Sequence, residues 1–164
     1  MIILRKAKEE DVEVIQHIAN NTWYDTYGSI LTLKQIEYML DKMYNKGMLL
    51  SQLQEGHTFL IASENQNDIG FMSFSLTDAD KNVYKLHKLY VLPSAHGKGL
   101  GKLLMNEVYS IAKNEGGVSL ELNVNRSNKA VDFYKHAGFQ IKETVDLDIG
   151  GGFFMNDYVM EKAI

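Results

Sequence analysis

The chain has 164 residues, 45% of them hydrophobic, a formal net charge of −4 and no cysteine. That length supports one well-buried core and is short for two, so a single domain over residues 1–164 is expected. The absence of cysteine excludes disulfides, thiolate metal sites and an acyl-cysteine intermediate, and the acidic balance argues against nonspecific nucleic-acid binding, which needs a clustered basic face.

Ile2 to Lys6 reads as a first strand, and Glu9 to Trp23 as a helix with Val12, Ile15, Ile18, Ala19 and Thr22 on one face. Thr32 is placed to cap a second helix that turns Ile36, Met39, Leu40 and Met43 inward and stops near Gly47. A shorter helical piece, Met48 to Gln54, ends at Gly56. Thr58 to Ser63 and Ile69 to Leu76 form a hairpin around the turn formers of Asn65 to Asp68. Then follow a strand (Val83 to Leu92), a helix (Gly99 to Asn114), a strand (Ser119 to Val124), a helix (Asn128 to Ala137) and two strands (Gln140 to Asp148, Phe153 to Lys162) about a turn at Gly150 to Gly152. An antiparallel amino-terminal half joined to a strand–helix–strand crossover predicts an α+β or mixed α/β sheet with a right-handed crossover. The chain opens without a charged segment leading into an apolar one, and no apolar run approaches bilayer length, so a soluble cytoplasmic protein with no membrane partner is expected.

Within this order the segment Lys85 to Met105, KLHKLYVLPSAHGKGLGKLLM, carries the strongest local signal. Gly97, Gly99 and Gly101 lie between a β-forming run and an amphipathic helix, the context in which a loop aims successive N–H groups at an anion beside a helix N-terminus. A flexible turn is the other reading of three alternating glycines. A P-loop would need Gly at position 96 and Ser or Thr at 103, where the chain has His96 and Leu103. A dinucleotide fingerprint started at Gly97 meets Lys102 in place of its last glycine, and started at Gly99 it meets Leu104. The cradle therefore suits a different phosphate-bearing ligand.

Some thirty residues later comes LNVNRSNKAVDFYKHAGF. The spacing of Asn128, Ala130, Phe133-Tyr134 and Gly138-Phe139, behind HGKGLGK, resembles the GNAT superfamily of acyl-CoA-dependent N-acyltransferases. The resemblance implies a GNAT-like fold with a central, mostly antiparallel twisted sheet, one parallel crossover and helices on both faces. It implies acetyl-CoA as acyl donor, no metal, a small-molecule amine acceptor and a possible homodimer. It maps the pyrophosphate loop onto His96, Gly97, Lys98, Gly99, Leu100 and Gly101, with Lys102 beside it. His96 stands where the family usually has Gln or Arg. Leu89, Tyr90 and Val91 match the strand that pairs with the pantetheine arm, Asn128 the position contacting that arm, and Tyr134 the tyrosine beside the sulfur.

Acyl transfer to an amine needs an aligned thioester, a deprotonated nucleophile and help for the leaving thiolate. Tyr134 can give the last as a hydrogen-bond donor, since full transfer from a phenol near ~10 to a thiolate near ~8.5 is uphill by about 2 kcal/mol. Its other reading is a core aromatic beside Phe133 and Ala137. For the amine's proton the candidate is His87, placed by strict alternation on the side of Leu89 and Val91, with an ordinary pKa near ~6.5. LHKLYV is also similar to the corresponding strand of serotonin N-acetyltransferases, which carries a histidine there; a histidine satisfied in a half-buried strand is the alternative. Glu121, on the next strand, is either a base acting through water or a solvated charge. His17, His57 and His136 have no metal-ligand spacing.

The acceptor pocket implied by the resemblance is built from TWYDTYGSILTLKQIEYML and DIGGGFFMNDY. Trp23, Tyr24, Tyr27 and Tyr38, with Asp25, would suit an alkylammonium through ring faces and a carboxylate. Trp23 and Tyr27 share a helical face and equally suit packing of helix on sheet. TWYDTY is similar to bacterial Pai-type polyamine acetyltransferases, which favours spermidine-like acceptors. Peptide N-acetylation, marked by a wide groove between the first helices and the last hairpin, and a noncatalytic acyl-CoA-binding regulator are the alternatives.

Overall fold

The computed structural model describes all of residues 1–164. Seven strands form one sheet in the order β1-β2-β3-β4-β5-β7-β6, where β1 is Ile2–Lys6, β2 Thr58–Glu64, β3 Asn67–Asp78, β4 Val83–Val91, β5 Ser119–Asn125, β6 Gln140–Gly150 and β7 Phe153–Ala163. Only β4 and β5 run parallel; every other pair is antiparallel. The expected mixed α/β architecture is thus present.

Helices cover both faces. On one lie α1 (Val12–Tyr27), α2 (Leu33–Tyr44) and α3 (Lys46–Gln54), whose Ile15, Ile18, Trp23, Ile36, Met39 and Leu49 pack on Phe59, Ile61 and Phe71 of the sheet. On the other, α4 (Leu100–Asn114) and α5 (Ala130–His136) bring Leu104, Met105, Val108, Val131 and Tyr134 against Leu60, Met72, Leu86, Leu122 and Met160. Central strands covered on both sides have no solvent face, which is why Phe59–Ala62 and Ile69–Phe74 are continuously buried instead of alternating. Truncating a side chain such as Leu104, fully buried in this core, to alanine should cost about 2–5 kcal/mol.

Several boundaries differ from expectation. The first helix continues one turn past Trp23 to Tyr27, after a 3-10 turn at Glu9–Asp11. The second helix, capped by Thr32 as expected, ends at Tyr44 and not near Gly47: Asn45 is extended and its side-chain oxygen accepts from the Met48 N–H, so it starts α3 and leaves Gly47 in that helix's first turn. The β2–β3 turn needs only Asn65 and Gln66, both at positive φ, so the strands reach Glu64 and Asn67. No helix is long and apolar enough to cross a membrane.

The largest correction lies in β4. Ser73 of β3 faces Lys88 and Phe74 faces Leu86, which leaves His87 as an extra, unpaired residue, a β-bulge. Tyr84 and Leu86 point toward α4; past the bulge, Lys88 and Tyr90 point toward α1, and Leu89 and Val91 toward α4. His87 bonds Ser75, which pairs with Lys85, so it lies on the α1 side and not with Leu89 and Val91. Strict alternation gave the wrong face because the bulge resets the period.

Candidate active site

The parallel ladder between β4 and β5 runs only from Val83 with Ser119 to Leu86 with Leu122. Beyond the bulge both strands continue without each other, β4 to Val91 and β5 to Asn125, and the sheet opens as a wedge. The edge of β4 from Lys88 to Val91 is paired with β3 on one side only. Its alternate backbone groups on the other side are free to pair with a ligand strand. The resulting cleft has a volume of about 1080 Å³, more than the roughly 300–1,000 Å³ of an ordinary small-ligand site and enough for two reactants. Leu89, Tyr90, Val91, Asn128 and Tyr134 all line it.

At one end of the cleft stands the glycine loop. Gly97 and Gly99 have φ of +79° and +73°, a region that strains other residues, and Gly99 precedes the first turn of α4. Gly101 answers a different need: a Cβ there would sit 3.3 Å from the Phe133 ring of α5. The first backbone bond of α4 runs from Leu103 N–H to Gly99 O, and no carbonyl accepts from the six N–H groups of residues 97–102. That row of unpartnered donors at a positive helix end fits a diphosphate.

His96, out of pattern in the loop, has a structural partner. Its Nε2 lies 2.9 Å from Val91 O. A carbonyl only accepts, so Nε2 carries the proton and the ring braces the loop against the end of β4. The Lys98 side chain lies outside the cleft with its Nζ held by Glu64 Oε2 at 2.8 Å, while its backbone N–H remains in the row of free donors. Lys102 and Leu100 do line it.

Tyr134 is buried between Phe133 and Phe139, with ring centroids at 5.3 and 5.7 Å. The ring is part of the core and also forms cleft wall. Burial pushes its pKa well above the usual phenol range, with the neighbouring Tyr27 and Tyr109 adding to the shift, so the hydroxyl is a neutral donor. Asn128 spends its side-chain oxygen on the Ala130 N–H at 2.9 Å, starting α5, and keeps its NH2 for other partners.

The opposite end is walled by α1, α2 and the β6–β7 hairpin. Trp23 is 2% exposed and packs on Tyr27, Tyr44 and Tyr90 at 4.6–5.8 Å, so it belongs to the core while also lining the cleft. Tyr27 reaches farther, with its hydroxyl 3.0 Å from that of Tyr90. Tyr38 is an anchor: it donates to Ile149 O at 2.8 Å and packs on Phe153. Lys42 donates to the same carbonyl at 2.8 Å, and Gln35 to Phe154 O at 2.7 Å. Tyr24 is exposed, and Asp25 stands on the rim of the cleft.

His87 faces the cleft, bonded to Ser75 Oγ at 2.7 Å and stacked on His57 at 4.4 Å. Burial, His57, Lys88 and Lys85 together pull its pKa down to about 3. From an alkylammonium near ~10.4, proton transfer to it would climb roughly 7 pKa units, about 10 kcal/mol. The expectation of His87 as a base rested on an ordinary histidine pKa, and this environment lowers that pKa. Glu121 does not line the cleft; Lys142 binds its Oε1 at 2.7 Å.

Two residues not anticipated from sequence stand out. Lys88, buried against the rings of Tyr44 and Phe59 and bonded to Gln52, has its pKa lowered to about 8 by burial. Asp157 of β7 is 1% exposed on the cleft wall, and its Oδ2 has no hydrogen-bond partner. A signal for Asp157 did exist: counting by twos from Phe153 through Met155 carries it inward. No group of three or more His, Asp or Glu is placed to hold a metal ion.

A family model described as "Acetyltransferase (GNAT) family" matches residues 13–139. The chain is 29% identical over 167 residues to a spermidine N(1)-acetyltransferase of Thermoplasma acidophilum, covering 98% of this chain and 96% of that protein. The crystal structure of the PaiA N-acetyltransferase of Thermoplasma acidophilum in complex with coenzyme A superposes with a TM-score of 0.85 at 30% identity, covering 100% of this chain and 99% of that one. A peptidyl-lysine N-acetyltransferase, YjaB of Salmonella typhimurium, is 28% identical over 149 residues, 90% of each chain.

Proposed function

The chain belongs to the GNAT family of acetyltransferases and is an acyl-CoA-dependent acetyltransferase; from that premise we propose that it transfers an acetyl group from acetyl-CoA to a primary amine of a small, polyamine-like acceptor, by direct attack in a ternary complex. The carrying observation is the closure of the acceptor end. A peptide acceptor would need a wide groove between the first helices and the last hairpin. That gap is bridged by Tyr38 and Lys42 on Ile149 O, by Gln35 on Phe154 O and by the Tyr38–Phe153 ring pair. The spermidine acetyltransferase among its relatives supports the same acceptor class.

In this reading the N–H groups of residues 97–102 and Lys102 hold the diphosphate, while the free edge of Leu89 to Val91 and the Asn128 amide orient the arm. Acetyl-CoA supplies the acyl group as a thioester. The Tyr134 hydroxyl, kept neutral by burial, donates to the sulfur as negative charge grows there. The test is thiol release from acetyl-CoA over a panel of diamines, spermidine, monoamines and lysyl peptides. Turnover confined to small amines is expected. Preference for peptides would favour the protein-acetylating reading, and tight CoA binding with no release would favour a regulator.

A further inference from the structure

Five polar or charged residues are buried: Asp11, Thr22, Ser73, Lys88 and Asp157. Asp11 takes Arg5 and the Lys8 N–H, Thr22 bonds its own helix, and Lys88 bonds Gln52. Ser73 keeps a lone hydroxyl. Asp157 is the exception in kind, because an unpartnered carboxylate oxygen away from water costs far more than a hydroxyl. Arg126 acts on it only through space and makes no bond to the carboxylate. That guanidinium is spent on Asp146 at 2.7 Å, Val145 O at 3.0 Å and the main-chain carbonyl of Asp157 at 3.3 Å. A carboxylate in a cleft wall, next to α1 and in no ion pair with a protein cation, is suited to receive a cation brought by the ligand.

We propose that Asp157 receives the ammonium of the acceptor and takes its proton, a role that rests on the amine-acetylation reading above. One ammonium N–H breaks and an O–H forms on Asp157. The freed nitrogen lone pair attacks the thioester carbonyl; C–N forms and C–S breaks while the Tyr134 hydroxyl donates a hydrogen bond to the sulfur. The second proton leaving nitrogen ends on the thiolate and gives the free thiol. Asp157 then returns its proton to water, so one proton appears per amide formed.

The surroundings suit a base better than those of His87. Burial raises the Asp157 pKa, while the Asn123 amide and the positive charges of Arg126 and Lys85 pull it partly back. The groups facing it are Tyr27 from α1, Lys85 from β4, Asn123 and Arg126 from β5 and the turn after it, and Asp146 from β6 through Arg126.

Spermidine binding to the CoA-loaded protein by calorimetry, with thiol release in parallel, tests this. For Asp157→Asn a loss of at least 30-fold in spermidine affinity and about 100-fold in kcat/KM is expected, with CoA affinity within threefold and the acidic limb of the pH profile displaced. Unchanged spermidine binding and an unmoved limb would overturn the proposal, even if kcat fell. If the unaltered protein binds spermidine without releasing thiol, the transfer reading fails, and the binding loss in Asp157→Asn alone decides the ammonium role. Binding of no amine would overturn both. Should Asp157→Asn not fold, carbon-13 NMR titration of the Asp157 carboxyl in the unaltered protein replaces it: its pKa must fall when spermidine is added, and a constant value would overturn the proposal.

Discussion

The two ends of the cleft are made of different material. The donor end is backbone: six N–H groups, a free strand edge and two glycines in left-handed geometry, with His96 and Lys98 spent on bracing the loop. The acceptor end is side chain: buried tyrosines, a lysine with a lowered pKa and a lone carboxylate, brought together from α1, α2, β4 and β7. A backbone site tolerates side-chain change provided the chain can still adopt its path. A side-chain site depends on every neighbour that sets its charge.

Lys88 gives the sharpest measure of that dependence. Its pKa is lowered in the folded state, so between about 8 and about 10.5 the unfolded chain holds more protons and stability rises with pH. Across that window the unaltered protein should gain up to about 3 kcal/mol of unfolding free energy relative to Lys88→Met, by denaturant titration at each pH. Parallel curves would mean that the acceptor end does not strain its charges. Tyr134→Phe, where the two ends meet, should lower kcat about 100-fold while the CoA dissociation constant stays within threefold; an unchanged kcat would remove the hydroxyl from the chemistry.

On the donor side Gly99→Val should weaken CoA binding about tenfold, from roughly 1–2 kcal/mol of left-handed strain, whereas His96→Ala, which loses only a brace, should cost less. Equal losses would show that the side chain matters as much as the path. Tyr38→Phe should raise the amine KM about threefold and leave CoA affinity alone, by loosening the hold on Ile149. The smallest effect is expected at His87. In His87→Asn, kcat should change by less than threefold at pH 8, with a pH profile parallel to the original, because a group titrating near 3 takes no part there.

Legibility in the sequence followed the same division. The glycine loop, the strand before it and the Asn128 to Phe139 segment were readable because local spacing sets local backbone, and the mixed sheet followed from the order of elements. The faces of β4 were not, since one unpaired residue reversed them and nothing in YKLHKLYVL marks a bulge. The histidine looked like a base because a reference pKa carries no surroundings; burial, His57, Lys88 and Lys85 act on it only once folded. Trp23 and Tyr38 were aromatic in the right stretch, but only packing assigns one to the core and the other to the hairpin. Asp157 was passed over inside MNDY because its isolation depends on Arg126 being spent elsewhere.

Four residue pairs join β4 to β5, and past them the two strands part. Mechanically the molecule is two plates, β1 to β4 and β5 to β7, riveted along a short seam and tied behind by α4. Whatever lies in the open part of that seam acts as a missing strand, stapling the plates and setting their angle. A filled wedge therefore stiffens both walls at once, so donor occupancy also shapes the chamber in which the amine is received.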